Sequence, residues 1–85
     1  MKFQEFLILD DIDKEEAVWS KGVFLINSAK GNIMCDIYEL FDYCVAFTYK
    51  LDRQEKAKIT AYFYDYELPI EDKLNLITTF IFKSY

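Results

Sequence analysis

From residue 33 onward, apolar and polar side chains alternate with a period of two. Ile33, Cys35 and Ile37 stand against Met34, Asp36 and Tyr38, and Tyr43, Val45, Phe47 and Tyr49 stand against Cys44, Ala46, Thr48 and Lys50. Further on, Ala57, Ile59, Ala61 and Phe63 stand against Lys58, Thr60, Tyr62 and Tyr64. That period belongs to a strand, whose successive side chains point to opposite faces. Upstream, Val23-Phe-Leu-Ile is rich in β-formers and runs into Ser28-Ala-Lys-Gly-Asn, where Gly31 supplies positive φ for a hairpin turn. A first strand over residues 23–28 follows. With turns near residues 40–42 and in the polar Leu51-Asp-Arg-Gln-Glu segment, the pattern predicts a four-stranded antiparallel meander. Pairing Ile37 with Val45 and Cys35 with Phe47 sets apolar beside apolar on one face, and this is the expected register.

The period lengthens at both ends of the chain. Ile70, Leu74, Ile77 and Ile81 recur at helical spacing behind Pro69, with Glu71 and Asp72 in the first turn, so residues 70–82 are expected as a helix packed on one face of the sheet. Near the N-terminus, Asp10 or Asp11 offers an N-cap and acids crowd the first turn. Lys21 sits in the last turn of this helix over residues 11–20, and Gly22 is placed for a left-handed C′ position. Phe3, Phe6 and Leu7 mark residues 2–8 as a short helix or an edge strand. The expected fold is therefore α+β: short N-terminal helices, the meander and a C-terminal helix, in one domain over residues 1–85. A chain this short buries only about 60 to 65% of the surface its unfolded form exposes, so it needs a dense core. Eight Phe, seven Tyr and one Trp supply it.

Histidine is absent from the sequence, which removes the commonest general base and metal ligand together. No Ser-His or Cys-His pair, zinc-ligand spacing, phosphate-cradling Gly-Lys-Thr loop or Gly-x-Gly-x-x-Gly run is present. Carboxylates alone remain for metal chemistry. The densest set, Asp10, Asp11, Asp13, Glu15 and Glu16, fails as a calcium loop, because Glu16 and Gly22 stand where a turn glycine and a bidentate glutamate belong. These residues read as an acidic, capped helix start. The chain is expected to be no enzyme and to hold neither metal nor cofactor, and its role is expected to be the binding of another protein.

Charge bears on the partner. The net charge is −5, and residues 10–16 carry five acids against one lysine. Asp65, Glu67, Glu71 and Asp72 add a second acidic stretch. Without a basic stripe, direct nucleic-acid binding has no electrostatic source, and a protein with a basic surface is the expected partner. Tyr62, Tyr64 and Tyr66 alternate with Phe63 and Asp65. With Asp65 and Glu67 beside them they form the expected contact surface, joined by Asp10, Asp11 and Asp13. The competing reading packs one or more of those tyrosines under the N-terminal helices as half-buried residues. Trp19, three residues before Gly22, is expected as a core anchor.

The longest apolar runs, residues 6–9 and 23–26, fall far short of the roughly 18 to 20 residues a membrane helix needs. The first eleven residues lack the pattern of a secretory signal. A cytoplasmic setting, in a bacterial cell or an infected host, is expected. In the register above, Cys35 and Cys44 point to opposite faces, so free thiols in a reducing compartment are expected as well.

Trp19-Ser-Lys-Gly-Val-Phe-Leu, Gly31 and Ile37-Tyr-Glu-Leu-Phe-Asp-Tyr-Cys-Val-Ala-Phe resemble a group of short uncharacterised bacterial proteins with a Trp-x-x-Gly-Val-aromatic-Leu pattern. The resemblance covers about half the chain and implies helices leading into a curled meander. Cys44 and Ala46 stand where that group carries Tyr and Glu. By type alone, with no motif behind it, the chain also resembles small phage inhibitors, the anti-CRISPR proteins among them. The expected function is thus an inhibitor or modulator of a larger nucleic-acid-handling protein such as an RNA-guided nuclease. An immunity or antitoxin protein acting on a cognate toxin, and a domain pairing with itself through an edge strand, are the alternatives. Calorimetric titration with Mg²⁺ or Ca²⁺ should give no binding heat; a saturable heat would restore carboxylate-metal chemistry.

Overall fold

A computed structural model describes residues 1–52, 55–64 and 67–84. Four strands, β1 (Val23–Lys30), β2 (Ile33–Leu40), β3 (Tyr43–Lys50) and β4 (Lys58–Tyr62), form an antiparallel sheet in chain order. Two helices precede it, α1 (Phe3–Leu7) and α2 (Asp11–Lys21), and α3 (Ile70–Lys83) follows. The fold is α+β as expected, and residues 3–7 are helical. In α1 the Glu5 carboxylate accepts the Lys2 backbone N–H at 2.9 Å. In α2 the Asp10 carboxylate accepts the Asp13 N–H at 2.8 Å, satisfying one of the donors a helix start leaves without a partner.

Helices cover both faces of the sheet. On one, Phe6 of α1 and Val18 of α2 meet Leu40, Tyr43, Val45 and Phe47; on the other, Ile77 and Ile81 of α3 meet Cys35, Ile37, Cys44 and Ala46. Every residue of β3 from Tyr43 to Thr48 is therefore buried. Full burial of a side chain such as Ile77 contributes about 1.5–3 kcal/mol. At the far end of the α1/α2 face a polar group closes the layer, with Asp36 accepting hydrogen bonds from Asn27 and Tyr49. Among the described residues, no helix is long and apolar enough to cross a membrane.

The observed register corrects the expected one by a single residue. Ile37 pairs with Ala46 and Cys35 with Thr48, while Val45 lies opposite Tyr38. A two-residue turn, Phe41-Asp42, joins Leu40 directly to Tyr43, whereas the expected pairing needed a three-residue loop. One-residue slips exchange the faces, and here both exchanged faces are apolar, so hydrophobicity alone did not arbitrate. The same shift moves the cysteines. Cys35 and Cys44 share the α3 face rather than opposing faces. Four pairing positions separate them, roughly 13 Å along the strands, too far for a disulfide. Both thiols are free.

Strand ends follow from the turns. β1 extends to Lys30 because Gly31, at φ 62°, lets the chain reverse in two residues and pair Lys30 with Ile33. An irregularity between Phe24 and Ile26 sets both Leu25 and Ile26 against the α3 side. β4 stops at Tyr62, opposite Cys44, since β3 begins only one residue earlier. The expected turn residues Arg53 and Gln54 lie outside the described residues.

Gly22 departs from expectation too. Its φ of −79° and ψ of 153° are extended rather than left-handed. What demands glycine there is space, because a Cβ would lie 2.6 Å from the Val18 carbonyl oxygen. Gly31 has the reverse constraint, with open space around it and a left-handed backbone. Gly22→Ala should accordingly cost about 1–3 kcal/mol in urea unfolding through displaced backbone, and Gly31→Ala about 1 kcal/mol through backbone strain. A neutral Gly22→Ala would contradict the close approach.

Candidate functional site

The residues expected to form one contact surface lie on two. Asp10, Asp11 and Asp13 are exposed at the start of α2, with Asp10 occupied as the N-cap. Tyr62 and Tyr64 lie across the sheet, half-buried against the core that α3 closes, and the Tyr62 ring is 6.1 Å from that of Phe80. Neither tyrosine packs under the N-terminal helices. Glu67 is exposed, and Asp65 and Tyr66 lie outside the described residues. With the sheet between them, the aspartates and the tyrosines cannot touch one flat partner surface together. Among the described residues, no group of three or more acidic, Cys or His side chains is arranged to hold a metal ion.

Trp19 is not a core anchor; it is 63% exposed. Its indole nevertheless lies flat on Phe47, with centroids 5.5 Å apart and planes 7° from parallel. Tyr38 meets the indole at 5.6 Å and 84°, and Phe24 meets Tyr38 at 5.4 Å and 72°. Phe47 itself is buried. One face of the indole is thus fixed on the core and the other is left open. Such edge-to-face and stacked contacts contribute about 0.5–1.5 kcal/mol each beyond area, so the ring is held in place before anything binds.

Helical spacing determines what surrounds it. Ile12, Glu15, Glu16 and Trp19 stand at i, i+3, i+4 and i+7 and form one flank of α2. Ile12 is 65% exposed. Where the chain leaves the helix, Phe24, paired with Tyr38 and more than half exposed, extends the apolar surface, while Val23, paired with Glu39, alternates to the α3 side. Lys14, the one base among residues 10–16, turns away, with its Nζ 5.8 Å from the Phe6 ring centroid. Among the described residues of α2, the flank therefore combines exposed apolar side chains with carboxylates and no cation. Sequence periodicity held a sign of this. Val18 and Trp19 are about 100° apart on a helix, so with Val18 at the centre of the core-facing stripe Trp19 falls at its edge.

Two other depressions are mixed in charge. A groove of about 620 Å³ along α3 is lined by Leu68, Leu76 and Phe80 with Asp72 and Lys83. A cleft of about 330 Å³ beside the β2–β3 turn is lined by Phe3, Phe41 and Phe63 with Lys2 and Asp42. Phe41 holds a left-handed φ of 58° there, costing about 1–2 kcal/mol for a residue with a Cβ. Among the described residues, the α2 flank is distinguished by a pre-positioned Trp whose charged neighbours on the same helix flank are Glu15 and Glu16.

The remaining candidates for chemistry are the thiols. Cys35 and Cys44 are at most 3% exposed. Burial, then the neighbouring Asp36 for Cys35 and Glu39 for Cys44, pushes both thiols above their ordinary value of 9.0. A neutral, enclosed thiol is a poor nucleophile, so these are small core residues. In comparisons with known proteins, no family model, curated protein or solved structure matches the chain.

The buried thiols and Tyr43 and the half-buried Tyr38 and Tyr49, all pushed upward by burial first, give the pH response its sign. Below pH 9 these groups are protonated in both states and the fold keeps its full stability. Above it, the unfolded chain releases protons that the native state retains, so stability falls as pH rises. With no histidine, urea midpoints should change little between about pH 6 and 8 and then drop on the alkaline side. A thiol reagent at pH 8 should label neither cysteine until the protein unfolds; rapid native labelling would show the thiols to be accessible.

Proposed function

We propose that this chain is a protein-binding module, not a catalyst, and that the Ile12–Glu15–Glu16–Trp19 flank of α2, extended by Phe24, is its contact face. The observation that carries this reading is the indole of Trp19, open on one side and stacked on buried Phe47 on the other. Tryptophan is enriched among the few interface residues that carry most of the binding free energy, and a ring already immobilised loses little entropy on docking. The carboxylates around it select the partner. Unopposed acids favour a basic protein surface and repel nucleic acid, so the fitting partner is a protein whose basic surface handles nucleic acid. Occupying such a surface inhibits it by competition. An RNA-guided nuclease is one protein of that kind, and the small size and net charge of −5 suit the role.

This placement moves the contact face from the tyrosines of β4 to α2. Competition and mutation test it together. Proteins captured from the source cell by the wild-type chain are compared with those captured by Trp19→Ala and by a Glu15→Lys, Glu16→Lys double variant, each with and without added duplex DNA or RNA. A partner bound through this face should weaken by at least about 2 kcal/mol, near thirtyfold, with Trp19→Ala. Charge reversal should weaken it further at low salt than at high salt, and added nucleic acid should displace it. Capture that survives both variants, or that nucleic acid leaves unchanged, rejects the reading.

A further inference from the structure

We propose that the open face of Trp19 is a seat for an arginine side chain of the partner, with Glu15 and Glu16 receiving its guanidinium. This rests on the reading of the α2 flank as the contact face, and it specifies the partner's chemistry at the centre of that face.

The geometry favours a flat cation. Phe47 lies 7° from parallel beneath the indole, so the exposed surface above is a π-face rather than an edge. Tryptophan presents the most attractive ring face to a cation, and a planar guanidinium stacks on it while leaving its in-plane N–H groups free. Those donors need carboxylates near the rim of the ring. Glu15 and Glu16 occupy i−4 and i−3 relative to Trp19, with Cβ atoms about 5–6 Å away. Long helical side chains lean toward the N-terminus, which carries the indole toward these two residues. Glu16 is exposed and Glu15 half-buried, so an ion pair formed there is partly shielded from water. The apolar stem of the incoming side chain finds Ile12 on one side and Phe24 on the other, both more than half exposed. Among the described residues of α2, the one base on the acidic half, Lys14, is engaged over Phe6 rather than on that flank. An ammonium could satisfy the carboxylates but could not stack, so arginine is selected over lysine.

Trp19 is the only tryptophan, so its fluorescence reports on this one site. The full-length chain is titrated at low ionic strength with a nine-residue polyarginine peptide and, separately, with polylysine of equal length. Polyarginine should change the indole emission and bind at least about fivefold tighter than polylysine. In a Glu15→Gln, Glu16→Gln variant both peptides should weaken and the preference should largely disappear. Peptide anisotropy with Trp19→Leu should show the preference lost while the carboxylate-dependent part remains. Equal affinities for the two peptides, or arginine preference unaltered in Trp19→Leu, overturn the seat. Because this comparison uses the wild-type chain first, a variant that folds poorly does not leave the outcome open. Equal peptide affinities together with partner capture lost in Trp19→Ala would sink the arginine seat and leave the contact face standing. Arginine preference together with capture that ignores the α2 variants would do the reverse.

Discussion

Burial of β3 on both faces, from Tyr43 through Thr48, is the constraint on which the other layers depend. A strand in this position must satisfy two helices of different size, and its side chains are divided accordingly. Toward α3 it presents Cys44 and Ala46, small enough for Ile77 and Ile81 of a fourteen-residue helix to come close. Toward the short α1 and α2 it presents Tyr43, Val45 and Phe47, whose bulk fills what five- and eleven-residue helices leave uncovered. Interiors pack to crystal-like density, so the division between small and large residues is as binding as the division between polar and apolar.

Phe47 links this core to the surface. Its ring is buried among Val45, Tyr38 and Ile59, and its outer side carries the indole of Trp19. An exposed aromatic on a loop would have to be ordered by its partner, at a cost in entropy. One mounted on a core ring brings its area to the interface already fixed. The acids of α2 fall into two sets. Asp10 caps the Asp13 N–H and Asp11 and Asp13 complement the helix dipole at the first turn of α2, while Glu15 and Glu16, further along the helix, stand on the flank of Trp19.

Much of the architecture was legible because it rests on local rules. Alternation placed β2, β3 and β4, the Asp10 cap opened α2, and the Ile70–Leu74–Ile77–Ile81 spacing marked α3 as a helix packed on one face of a meander. What was not legible depended on counts of one residue or on space. Whether the β2–β3 reversal takes two residues or three changes the pairing of every residue in the hairpin, and a bulky Phe41 at positive φ gives no glycine signal for the tighter turn. Gly22 was identifiable as necessary, but the crowding at the Val18 carbonyl that makes it so exists only once α2 and β1 meet.

The amino-acid pattern by itself determined the class of fold, the order of its elements, the poverty of catalytic groups and the excess of acid, since each follows from composition or from neighbours a few residues apart. Tertiary structure alone decided which of two apolar faces each strand residue would occupy, that Cys35 and Cys44 would share one of them, and that Tyr62 would pack beside Phe80 while Trp19 stood open. The reason is physical. Exposure belongs to pairs of elements rather than to residues, and a tryptophan beside Val18 on a helix has its environment set by where Phe47 arrives from another part of the chain.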